Sequence, residues 1–178
     1  MEYNRAFLDQ INSNPLYTAL GIQVEDVKNG NARSSLRPKP EICWPFPQQP
    51  HGGVLFTLMD TTMAWAIVSQ LDSGYNCTTV HLDIQFILPA RGDLFTCIAW
   101  TTHRTGRMSF VRADVHDPHK NLLASGQATF RVIQMDLFKQ AALAVAYFPI
   151  TPGSSQRVSN MHFKKKLHQI SPITKTKY

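Results

Sequence analysis

Apolar and polar residues alternate from Cys77 to Leu88. Val80, Leu82, Ile84, Phe86 and Leu88 fall on one side, with Thr79, His81, Asp83 and Gln85 on the other, which is the period of a half-buried strand. The turn Pro89-Ala90-Arg91-Gly92 follows, then strands over 93–103, 108–116 and 122–132, separated by Arg104-Thr105-Gly106-Arg107 and by Asp117-Pro118-His119-Lys120-Asn121. Upstream, Ala6, Phe7, Leu8 and Ile11 predict a short amphipathic helix over 5–12, ended by Asn14-Pro15. A second short helix is expected over 15–20, with Gly21 as its cap. Strands over 22–28 and 31–37 flank the hairpin dipeptide Asn29-Gly30. Five prolines between Pro38 and Pro50 predict a loop without helix or central strand, its apolar anchors being Ile42, Trp44 and Phe46.

The stretch from Gly52 to about Leu71 follows neither the period of a strand nor that of a one-sided helix. It is apolar nearly all round, as in a helix buried inside a fold, and it carries one carboxylate, Asp60, in its middle. An acid so placed needs a partner or a task. His51, Gly52 and Gly53 stand where the first helical N–H groups lack partners and the dipole favours negative charge. Such a helix start offers donors to an oxyanion, and the acid offers a base or nucleophile, which together suit acyl transfer. The order is two strands, one long helix, then four strands read as a meander. The expected class is α+β, an antiparallel sheet of five to six strands wrapped round the helix, with a second subunit closing what remains open.

Bulk properties narrow the function. The chain has 178 residues and a formal charge of +6. Arg157, Lys164, Lys165, Lys166, Lys175 and Lys177 supply all of that charge from an acid-free tail after Pro152, leaving residues 1–152 formally neutral. The folded part therefore gives no electrostatic case for nucleic acid. The three cysteines Cys43, Cys77 and Cys97 form no CxxC pair, so neither a disulfide framework nor a metal site is expected. No segment approaches the length of a membrane-spanning helix, and Met1-Glu2-Tyr3-Asn4-Arg5 lacks the apolar run of a signal peptide, so a cytoplasmic protein without membrane insertion is expected. Residues 135–178 are expected to add a short helix, to about Ile150, and then a disordered basic tail to a domain spanning 1–134.

Three features together carry a family resemblance: His51-Gly52-Gly53 before the helix, Asp60 within it, and Val80 to Ala90 after it, ending in Pro-Ala. The chain resembles the hotdog-fold thioesterases of the 4-hydroxybenzoyl-CoA thioesterase superfamily, in particular their PaaI-like acyl-CoA group. The resemblance covers about residues 15–134. It implies hydrolysis of an acyl-CoA thioester without a cofactor, in a homodimer or homotetramer whose sites lie between subunits. It places Asp60 as general base or nucleophile, His51 at the thioester, and the N–H of Gly52, with Gly53 beside it, on the carbonyl oxygen. Thr79, or Thr78 if the strand register differs by one, would hold the attacking water. Arg104 and Arg107, with the turn over 89–92, would meet the nucleotide end of CoA. The family's Asn-x-x-Gly-x-x-His-Gly-Gly is altered here to Pro45 and Gln48, so Gln48 or Gln49 is left to supply an amide. The alternative is a hotdog module that binds acyl-CoA without turnover. Trp44, Phe46, Phe56 and Trp65 are candidates for an acyl pocket or for core.

Overall fold

The computed structural model describes residues 4–43 and 49–135. Helices α1 (Arg5–Asn12) and α2 (Pro15–Leu20) open the chain, capped by the side chains of Asn4 and Asn14, and Gly21 ends α2 in the left-handed conformation. Strands β1 (Ile22–Lys28) and β2 (Asn31–Leu36) form the expected hairpin, with Asn29 and Gly30 both at positive φ. Helix α3 (Pro40–Cys43) occupies part of the proline-rich segment. It exists because Pro40 takes the first helical position, where the missing N–H costs nothing. Helix α4 spans Gly52–Val68 and ends three residues earlier than the pattern predicts. The Ser69 hydroxyl stops it by donating to the Ala66 carbonyl and accepting from the Gly30 N–H.

Strands β3 (Tyr75–Phe86), β4 (Phe95–Arg104), β5 (Met108–His116) and β6 (Leu122–Gln134) complete one antiparallel sheet in the order β1-β2-β4-β5-β6-β3. The last four strands are thus not a simple meander. β3 pairs with β6, whereas β4 crosses to β2. The chain leaves β3 over the end of β6, where the Leu123 carbonyl accepts from the N–H groups of both Ile87 and Leu88, and Ala90 is buried along the crossing.

Helix α4 lies against all six strands, and the sheet wraps it. Leu58, Met59, Met63, Ala66 and Ile67 are fully buried against Leu36, Phe95, Val111, Val115 and Phe130. Transfer of each such large side chain from water contributes about 1.5–3 kcal/mol. Helices α1 and α2 cover a second side of α4: the Phe7 and Trp65 rings meet edge to face at 6.3 Å, and the Trp65 indole N–H donates to the Tyr17 hydroxyl. Trp65 is therefore held as core rather than free for a ligand. Trp44, Pro45, Phe46 and Gln48 lie outside the described residues, as do the expected helix to Ile150 and the basic tail.

Candidate functional site

One stripe of α4 remains open. Gly53 and Phe56 are exposed, and Thr57, Asp60 and Ala64 are half-buried, at the three-and-four spacing of one helix face. Asp60 is therefore not enclosed as its apolar neighbours suggest, because its face of the helix is uncovered in the single chain.

β3 runs antiparallel alongside this stripe. The Phe86 ring lies over Gly52, the Thr79 hydroxyl donates to Asp60 Oδ1 at 2.8 Å, and the Cys77 thiol points at the Ala64 carbonyl. Strict alternation would put Thr79 and Phe86 on opposite faces. A bulge at Val80 reconciles them: Thr79 pairs with Phe130 and His81 with Thr129, leaving Val80 unpaired and 58% exposed. Odd-numbered residues face the helix before the bulge and even-numbered ones after it. Val80 thereby leaves the face that Leu82 and Ile84 keep, and Thr79 rather than Thr78 reaches the acid. His81 and Asp83 line grooves of about 550 and 310 Å³ on the other face of the sheet, away from Asp60.

The helix start is equally specific. His51 is the N-cap, and its Nδ1 accepts from the Gly53 N–H at 2.9 Å. The Val54 N–H goes to the His51 carbonyl. Gly52 then holds the one N–H of the first three helical positions that meets no acceptor among the described residues. With Nδ1 accepting, a neutral His51 carries its proton on Nε2, a second donor facing outward. The Thr57 hydroxyl donates to the Gly53 carbonyl rather than to Asp60.

Asp60 also acts on a neighbour. Burial, and secondarily the Asp60 charge, push the Cys77 thiol up to about 12. Cys77 is thereby kept protonated and is a poor nucleophile. Arg104 lies at the far end of α4, where its guanidinium donates to the Gln70 carbonyl. Arg107 is exposed in the β4–β5 turn. Both are remote from Gly52 within one chain. Among the described residues, no group of three or more His, Cys, Asp or Glu could hold a metal ion, and no helix is long and apolar enough to cross a membrane.

Gly52 and Asp60 are eight residues apart in one helix, a rise of about 12 Å. One thioester cannot touch both within a single chain. The two sheet edges differ in how they could recruit a second copy. β1 is blunted, since the Asn12 amide accepts from the Val24 N–H at 2.8 Å and donates to the Val24 carbonyl at 2.9 Å. β3, twelve residues long, carries no such cover among the described residues, and beside it lie the exposed Phe56, Val80, Phe86, Ile87 and Leu88.

Comparison with known proteins agrees with this fold. The family model of the thioesterase superfamily matches residues 50–124, which include α4, β3, β4 and β5. A candidate esterase of Halobacterium salinarum is 30% identical over 135 residues, covering 71% of this chain and 89% of its own. In fold, the chain is similar to a thioesterase of Haemophilus influenzae (TM-score 0.70, 20% identity, 76% of this chain and 94% of the other). It is also similar to the PaaI protein of the E. coli phenylacetic acid degradation operon (TM-score 0.64, 23% identity, 72% and 92%).

Proposed function

The chain belongs to the thioesterase superfamily, and from that premise we propose that it hydrolyses acyl-CoA thioesters in sites shared by two copies of itself. The observation that carries this reading is the Thr79–Asp60 hydrogen bond beside an open helix face. Thr79 fixes one carboxylate oxygen and leaves the other to face a water molecule or the ester. Isologous pairing of two β3 edges is antiparallel. A two-fold axis near Leu82 and Asp83, midway between Thr79 and Phe86, carries Asp60 of one copy toward Gly52 of the other. The 12 Å that separates them within a chain is then no obstacle.

In such a site the thioester carbonyl accepts from the Gly52 N–H, reinforced by the helix dipole and by His51 Nε2–H. Asp60 takes a proton from water as its oxygen bonds to the carbonyl carbon. The C–S bond then breaks, and CoA leaves as a thiolate that gains its proton from solvent or from Asp60. In the covalent variant, Asp60 itself attacks, and water cleaves the resulting anhydride. No strong general acid is needed, because a thiolate is a good leaving group. Phe56 is placed to meet an acyl group. Arg104 and Arg107 would have to reach the nucleotide from the partner's side, after Arg104 exchanges its bond to Gln70.

The test is release of free CoA thiol from a panel of short, medium, long and aryl acyl-CoA esters, by wild type and by Asp60→Asn. Turnover lost in Asp60→Asn supports the reading. Equal rates would remove Asp60 from the chemistry. Tight binding of every ester with no thiol released would favour the non-catalytic acyl-CoA-binding module.

A further inference from the structure

We infer that Phe86 sets the acyl specificity of the proposed site, by excluding acyl groups branched at the carbon next to the carbonyl. The inference rests on the reading above and adds a residue and a substrate class to it. Phe86 ends β3, and the bulge at Val80 turns it toward α4 together with Leu82 and Ile84. Those two are half-buried, but Phe86 reaches past the packed interior and stays 56% exposed. Its ring tip stands where the helix begins. A methyl group at Gly52 would lie 3.2 Å from its Cζ, 3.4 Å from Cε1 and 3.6 Å from Cε2.

Ring and donor thus belong to one residue-sized space. A carbonyl oxygen accepting from Gly52 sits about 2.9 Å from that nitrogen, and its carbon about 1.2 Å further on. The next carbon lies one bond beyond, within reach of a ring whose tip stands 3.2 Å from where a Gly52 Cβ would be. A CH2 at that position passes beside the ring edge; a second carbon substituent meets it. Gly53 beside it has no side chain, and His51 Nδ1 is held by the Gly53 N–H.

Butyryl-CoA and isobutyryl-CoA test this directly, being isomers that differ in branching at that one carbon. Wild type is expected to prefer butyryl-CoA by tenfold or more in kcat/KM. In Phe86→Ala the preference falls to within about twofold, chiefly through faster isobutyryl turnover; Phe86→Leu is intermediate, and Phe86→Trp increases the preference. The Leu and Trp variants keep an apolar group over Gly52, so they carry the test if the Ala variant is unstable. An equal preference in wild type, or a ratio unchanged in active Phe86 variants, would overturn the role of Phe86 while leaving hydrolysis intact. Absence of thiol release from every ester by wild type would instead overturn the hydrolytic reading itself.

Discussion

The Thr79 hydroxyl donates to Asp60 Oδ1 at 2.8 Å, across the gap between β3 and α4. This bond orients the acid and engages one of its two carboxylate oxygens. Asp60→Asn should keep the fold, since the side chain is half-buried and nearly isosteric, and lower kcat by about a hundredfold or more. Thr79→Val should cost about tenfold, in line with one hydrogen bond of roughly 1.4 kcal/mol, and Thr79→Ser should restore most of it. Thiol-release kinetics and thermal melts on the three variants check both statements.

Gly52 sits at the first helical position, where proline is tolerated, and His51 already has the extended ψ of 138° that a following proline requires. Gly52→Pro therefore removes one N–H at little cost to the helix. Gly52→Ala adds a similar β-carbon and keeps the N–H, so it controls for crowding by Phe86. The Pro variant is expected to lose about a hundredfold in kcat relative to the Ala variant. Equal kcat in the two would show that this N–H does not meet the oxyanion.

Gly21 has φ of +80°, and an added Cβ would stand 1.9 Å from the Arg37 carbonyl oxygen. Gly21 and Arg37 also join backbones, the Arg37 N–H donating to the Gly21 carbonyl at 2.8 Å. Neither backbone can give way cheaply. Gly21→Ala should destabilise the protein by at least about 2 kcal/mol, with a lowered denaturation midpoint and little change in the activity of the folded fraction.

Cys77 and Cys97 both have thiols raised to about 12 from 9, chiefly by burial. Between pH 9 and 12 the folded chain holds these protons and the unfolded chain releases them. Their contribution to stability is complete below about pH 9 and is lost as pH rises toward 12. Melting temperature should fall over that window, and more shallowly in a Cys77→Ala/Cys97→Ala variant. Alkylation of Cys77 should be slow at neutral pH and faster in Asp60→Asn, where a repelling charge has gone.

Much of this fold is legible from local signals. The Asn29-Gly30 turn, the capped helices over 5–12 and 15–20, and the strand over 108–116 follow from short-range chemistry, and the structure has them at those bounds. The pairing of β3 with β6 is not legible, because a crossover leaves no periodic trace in the residues that make it. The bulge at Val80 is hidden in the same way: an apolar residue at an even position looks like one more core contact. Asp60, His51, Gly52 and Thr79 stand out through residue type and family likeness. Phe86 does not, since what brings its ring near Gly52 is the packing of segments 34 positions apart in the chain. The openness of the Asp60 face is obscured by its composition, since Phe56 and Ala64 are as apolar as the buried residues around them.

The most direct test of a site shared between two chains is complementation. Asp60→Asn and Gly52→Pro dimers, each inactive alone, are dissociated, mixed in equal amounts and reassociated, and thiol release is measured. If Gly52 of one chain serves Asp60 of the other, half of the dimers are mixed and each has one intact site, giving about a quarter of wild-type activity. If the mixture forms mixed dimers, verified by mass, and stays as inactive as its parents, the shared site is contradicted.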